Sequence, residues 1–251
     1  MTLIRRLIRL FLLAIHFFNG FILSLLFSGK NEQGEFSDRF KAIRTRWHTG
    51  TAKFLALDIE TIGKPAPGPV LVVANHISWL DIPVLAQALP VTFLSKAEVR
   101  SWPLIGWVAA RGGTLFIQRG AKNAADSAIA LIEQELGLGG SVLIFPEGTT
   151  TDGNQLRRFH PRLFAAAQNS GCPVQPVAIR YPGADDRTHT AIPFINNDTF
   201  GHSLWKVLAQ KRIRVVLEYA PLITDTEQDR RQIAEQAHDS IRRALSHIDE
   251  S

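Results

Sequence analysis

The stretch "GPVLVVANHISWLDIPVLAQAL", Gly68 to Leu89, changes character twice. It opens on the apolar run Val70 to Ala74, which reads as a strand buried on both faces. Asn75, His76, Ser78 and Asp81 then arrive within a few residues, and from Asp81 the apolar spacing becomes helical. A strand, a polar loop and a helix in that order form the repeating unit of an α/β layer. In such layers, polar groups at the carboxyl ends of strands are where ligands sit.

Working outward, the same alternation continues to the end of the chain. "VTFLSK", "GGTLFIQR", "SVLIFP", "VQPVAIRY" and "IRVVLEYAPL" read as strands. "NAADSAIALIEQELGLGG", "RFHPRLFAAAQNSG" and "TEQDRRQIAEQAHDSIRRALSHI" read as helices, the second stopping at Gly171. The pattern predicts an α/β fold with a mostly parallel sheet flanked by helices. Residues 182–206 read as one long irregular insertion. There is no internal repeat.

The N-terminus is different. Arg5, Arg6 and Arg9 precede an almost wholly apolar run from Leu10 to Phe27, about the length that crosses a bilayer core. No small-x-small cleavage site follows cleanly, which argues against a signal peptide. His16 and Asn19 interrupt the run, so spanning and half-burial at the surface both remain open. The next segment sets Phe36, Phe40, Ile43 and Trp47 at helical spacing, with Lys41, Arg44 and Arg46 between them. That is the pattern of a basic amphipathic helix lying in an anionic interface. Residues 1–58 are therefore read as membrane-anchoring helices and 59–251 as the catalytic domain.

Composition narrows the classes. The chain has 251 residues, 45% of them hydrophobic, so it can bury a large core and is not disordered. Its one cysteine, Cys172, excludes an internal disulfide and a cysteine-built zinc site. The net charge of +5 suits anionic partners. The positive charge clusters beside membrane-seeking segments, without a basic groove interleaved with aromatics, which ranks nucleic acid last among those partners.

His76 and Asp81 are five residues apart, which is not a same-face helical spacing, so they meet only across a turn. If they do, Asp81 fixes the ring's tautomer and leaves the other nitrogen outward as a general base. The plainer alternative is that Asp81 caps a helix and His76 is an ordinary loop residue. Other strand ends are also polar: Lys96 after "VTFLS", Arg119 after "GGTLFIQ", and "EGT" (Glu147, Gly148, Thr149) after "LIFP". An arginine beside a glycine-bearing turn can cradle an anion.

With these motifs in order, the sequence resembles the glycerolipid acyltransferase family that includes bacterial 1-acylglycerol-3-phosphate acyltransferases. "NHISWLD" is similar to its His-x4-Asp motif, "GTLFIQR" to its second, "FPEGT" to its third, and "VQPVAI" with Pro176 to its fourth. The resemblance covers about residues 70–180. It implies an acyl thioester donor, acyl-CoA or acyl carrier protein, with no cofactor and no metal. It implies a lysophospholipid acceptor, with lysophosphatidic acid favoured by charge matching and lyso-ornithine lipid as the alternative. By the same resemblance, His76 is the base and Asp81 its orienter. Lys96, Arg119, Glu147, Gly148 and Thr149 hold the glycerol phosphate, Pro176 lines the acyl pocket, and a backbone amide near the first motif serves the oxyanion. It also implies the inner (cytoplasmic) membrane, with the site facing the cytoplasm. Where the family often has "FKxG", this chain has "FHPRLF", with His160 for Lys and Arg162 for Gly. A hydrolase built on Ser78 is a rival reading, weakened by the lack of a G-x-S-x-G elbow.

Overall fold

The computed structural model describes residues 2–102, 104–118, 123–183 and 187–246. Two helices come first: α1 (Thr2–Phe27) and α2 (Asp38–Phe54). There follow β1 (Leu57–Ile62), β2 (Leu71–Ala74), α3 (Asp81–Ala88), β3 (Val91–Lys96), a 3-10 turn (Ala97–Ser101), α4 (Ile105–Arg111) and β4 (Leu115–Ile117). The second half holds α5 (Ala124–Gly137), β5 (Ser141–Ile144), a 3-10 turn (Pro161–Phe164), α6 (Ala165–Ser170), β6 (Val174–Arg180), α7 (Phe200–Ala209), β7 (Ile213–Tyr219) and α8 (Arg230–Ser246).

The seven strands form one sheet in the order β1-β7-β6-β2-β5-β3-β4. Every pairing is parallel except β6 with β7. The carboxyl ends of β2 to β6 therefore share one edge. At β2 the connections diverge: β3 lies on the far side of β5, and β6 lies on the other side of β2. In open sheets of this kind, such a reversal of strand order is where ligands bind.

The two faces of β2 explain why its sequence is wholly apolar. Val72 and Ala74 join the core beneath α3 and α7, while Leu71 and Val73 join the core beneath α5, α6 and α8. All four are fully buried. The helix expected after Glu147 divides into the 3-10 turn and α6, and ends as expected at Gly171, whose φ of 61° favours glycine.

Three expectations need correction. Leu57 and Asp58, placed with the N-terminal helices, instead open the strand "LDIETI", which pairs in parallel with β7. Its Asp58 and Glu60 obscure the pattern because their partners, Arg212 and Arg214, lie far along the chain. From Phe200 the 182–206 segment is not irregular but part of α7, which the Thr199 hydroxyl caps by accepting from His202 N at 3.3 Å. The third concerns α2, whose apolar face does not lie bare. Phe40 is buried, Trp47 stacks on His16 of α1 with ring centroids 5.0 Å apart, and half-buried Arg44 donates to Gly112 O at 2.6 Å. Phe40 is covered by the protein, while Phe36, Ile43 and Trp47 stay partly exposed.

Among the described residues, α1 is the one helix long and apolar enough to cross a bilayer. Its inner face meets protein along much of its length. Arg9 donates to the carbonyls of Leu208, Gln210 and Lys211 at the end of α7. Gly20 admits the Trp47 indole, which would lie 2.4 Å from any Cβ there, and Phe21 packs on Trp107 with ring centroids 4.3 Å apart. Its outer face is bare: Leu3, Ile4, Leu7, Phe11, Phe18 and Leu26 are all exposed. Leu13 and Leu55 both join the core that holds β2, so residues 1–58 and the rest of the chain share packing.

Candidate active site

The site begins where β2 leaves the core. Asn75 extends the ladder with its side chain: Oδ1 accepts from Ile179 N at 2.8 Å and Nδ2 donates to Ile179 O at 3.0 Å. His76 then turns off the sheet. Its N–H is held by Glu147 Oε1 at 2.8 Å, and its carbonyl accepts from Thr151 N at 2.8 Å. The ring lies flat on Phe145, with centroids 3.8 Å apart.

The turn brings His76 and Asp81 together. His76 Nδ1 is 2.8 Å from Asp81 Oδ2. The same oxygen accepts from Ile77 N at 2.8 Å and Ser78 N at 3.0 Å, while Oδ1 accepts from Tyr181 Oη at 2.6 Å. Asp81 is fully buried. A carboxylate receiving these donors is an acceptor, so Nδ1 carries the ring proton toward it. Nε2 is then the basic nitrogen, and no hydrogen bond among the described residues reaches it. The His76 side chain is 20% exposed, enough for a substrate oxygen to approach. Asp81 is the first residue of α3, and Leu80 occupies the cap position without a side-chain bond. The capping alternative is thereby answered: the carboxylate serves the loop before the helix.

Glu147 is buried and joins two loops. Oε1 takes His76 N, and Oε2 takes Arg157 N at 2.9 Å. Burial pushes its carboxyl up, and the two amide donors partly offset that. Ser78 is fully buried, and its hydroxyl has no partner among the described residues. It faces neither His76 nor solvent, which removes the hydrolase reading.

An Acyltransferase family model matches residues 58–180. The chain is 44% identical over 202 residues to the lyso-ornithine lipid O-acyltransferase of Pseudomonas aeruginosa, covering 80% of this chain and 78% of that one. The chain belongs to the glycerolipid acyltransferase family. It is also 32% identical over 202 residues to the 1-acyl-sn-glycerol-3-phosphate acyltransferase of Neisseria gonorrhoeae, covering 78% and 79% of the two chains. The fold is similar to the crystal structure of the 1-acyl-sn-glycerophosphate acyltransferase PlsC of Thermotoga maritima. That match has a TM-score of 0.70 at 22% identity and covers 100% of this chain and 97% of that one.

The remaining motif residues of this acyltransferase divide into groups. Lys96 ends β3 beside Ile117 of β4, exposed at the same edge as His76. Arg119 lies outside the described residues. The third-motif turn is held by Gly148 N donating to Phe145 O at 3.0 Å, and Gly148 has a φ of 73°. Its amide is committed to the turn, while Thr149 is exposed. The amides of His76, Ile77 and Ser78 are committed too, so none of these three is available for an oxyanion. Pro176 lies within the sheet opposite Val73, at a place where the antiparallel ladder with β7 has not yet begun. His160 sits over the turn, with Cδ2 3.5 Å from where a Gly148 Cβ would be.

Sequence spacing missed the residues that hold the loops. Phe194 N donates to Ile77 O at 3.0 Å, and Phe194 O accepts from the Thr150 hydroxyl, so the segment before α7 clamps the first and third motifs together. Tyr181 was also missed, being 100 residues from Asp81 in sequence. Its one visible signal was its place at the end of a strand whose neighbours also end in polar groups.

Proposed function

We propose that this protein transfers an acyl group from an acyl thioester to a hydroxyl of a lysolipid, with lyso-ornithine lipid as the acceptor. The observation that carries the reaction is the His76–Asp81 pair, with Nδ1 tied down and Nε2 unbonded among the described residues, at the sheet edge where the strand order reverses. His76 Nε2 takes the proton of the hydroxyl as its oxygen attacks the thioester carbonyl. Collapse of the tetrahedral intermediate makes the ester and expels the thiolate of coenzyme A or acyl carrier protein. The proton on His76 is then passed to that thiolate or to water. Neither a covalent enzyme intermediate nor a metal enters this scheme.

Two considerations support lyso-ornithine lipid over lysophosphatidic acid. The chain is 44% identical to the lyso-ornithine lipid enzyme of Pseudomonas aeruginosa and 32% identical to the lysophosphatidic acid enzyme of Neisseria gonorrhoeae. The geometry also weakens the charge-matching argument, because two members of the expected phosphate cradle are otherwise engaged. Gly148 N closes its own turn, and both Glu147 oxygens serve backbone amides. A headgroup with a single carboxylate asks less of such a cradle than a phosphate monoester does. Lys96, at the same edge, keeps lysophosphatidic acid as the second reading.

The bare face of α1 supports attachment to a membrane; the cytoplasmic membrane with the site toward the cytoplasm is the placement that gives it an acyl-CoA or acyl carrier protein donor. A helix backed by protein along one side suits half-burial in one leaflet better than spanning. The test uses purified full-length protein with each lysolipid and the same acyl-CoA. Esterification of lyso-ornithine lipid is expected, lost by ~10²–10⁴-fold in His76→Ala. Acylation of lysophosphatidic acid alone overturns the acceptor, and near-normal turnover in folded His76→Ala overturns the mechanism.

A further inference from the structure

Tyr181 follows the last residue of β6 and is fully buried. Its hydroxyl donates to Asp81 Oδ1 at 2.6 Å, within the range of charge-assisted O–H···O⁻ bonds. The other donors to Asp81, namely His76 Nδ1, Ile77 N and Ser78 N, all use Oδ2. A carboxylate turns readily about its last torsion. Tyr181 is the contact, among the described residues, that holds the second oxygen and so fixes the carboxylate plane.

We propose that Tyr181 is a positioning residue for acyl transfer: by holding Oδ1 it aims Oδ2 at His76 Nδ1, and by drawing charge from the carboxylate it sets how strongly Asp81 supports a proton on His76. This rests on the reading of His76 as the general base. Burial and the charge of Asp81 push the Tyr181 phenol well above its usual range, so it remains a donor throughout the working pH. The titratable and charged groups around the pair are His76 and Asp81 from the loop after β2 and Glu147 from the loop after β5. Arg180 and His189 flank Tyr181 on its own segment, and His189 N donates to Tyr181 O at 2.8 Å.

A residue that only fills space would be replaced by phenylalanine without consequence. A positioning residue would not, and the sign of its effect can be stated. Losing the hydroxyl leaves more charge on Asp81, which favours the protonated ring. The base-competent form then appears only at higher pH.

The experiment follows kcat and KM from about pH 5 to 9 for full-length wild type, Tyr181→Phe, Asp81→Asn and the double variant. Tyr181→Phe should lower kcat about tenfold at unchanged KM and move the acid limb to higher pH. In the Asp81→Asn background it should cost nothing more, because the contact it breaks is already changed. A second arm does not depend on Tyr181→Phe folding. The chain has two tyrosines, and Tyr219 Oη has no partner among the described residues, so Tyr219→Phe leaves Tyr181 alone. Fluorotyrosine introduced there is a stronger donor and should move the acid limb to lower pH. Superimposable profiles, or an equal loss with and without Asp81, would overturn the proposal. Turnover surviving in His76→Ala would instead remove the base assignment beneath it. An inactive His76→Ala beside an unchanged Tyr181→Phe condemns the Tyr181 proposal alone.

Discussion

Glu147 Oε1 holds the backbone N–H of His76 at 2.8 Å, so the carboxylate of the third motif is tied to the backbone of the first. Its other oxygen holds Arg157 N. Glu147 thus joins the strand end that carries the proposed base to the loop that leads to His160.

Glu147→Ala leaves two amides without their acceptor, at about 1–3 kcal/mol each if water does not replace it. The expected result is a lower melting temperature together with a loss of kcat, because the His76 backbone is freed. Glu147→Gln should fall between Ala and wild type, since one of its two terminal atoms is a donor facing a donor. Unchanged melting and unchanged turnover in Glu147→Ala would show that the strut carries no load.

His48 gives a pH-dependent prediction. It is half-buried in α2, its enclosed Nδ1 has no partner among the described residues, and desolvation, followed by the charges of Arg44 and His16, lowers its pKa to about 3. The unfolded ring titrates near the ordinary value of 6.5. The folded value is depressed, so the neutral ring favours the fold above 6.5, and stability is lost as pH falls from there toward 3. In that window the loss approaches ~1.4 kcal/mol per pH unit from this residue. Melting temperatures of wild type and His48→Leu, followed downward from neutrality, should diverge, with wild type falling faster. Parallel curves would mean that His48 is charged or hydrated in the fold.

The outer face of α1 can be altered without touching the core. Phe11 and Phe18 are 66% and 61% exposed, and both lie on the face away from α2 and α7. The double change Phe11→Glu with Phe18→Glu should move the protein from the membrane fraction to the soluble one and leave its melting temperature unchanged. Retention on membranes with full affinity would assign attachment to some other surface.

Residues close in sequence declared themselves, because the reasons for them are local. Val70 to Ala74 is apolar throughout because β2 is covered on both faces, and that can be read from five letters. The spacing of His76 and Asp81 showed that they could meet only across a turn, and left open whether they did. The alternation of strands and helices determined a parallel α/β sheet with its polar groups at one edge, and the length and apolarity of Leu10 to Phe27 marked a membrane-seeking helix. Tertiary structure decided the rest. Whether the apolar face of α2 met lipid or protein depended on α1 and α3 reaching it first. "LDIETI" became a strand only because β7 offered its edge and Arg212 and Arg214 met its acids. Glu147 turned inward because two backbone amides from separate loops converge on it, and Tyr181 reached Asp81 because β6 lies beside β2 in the sheet. No pattern along the chain encodes those meetings, since each depends on which strands become neighbours once the whole sheet is buried.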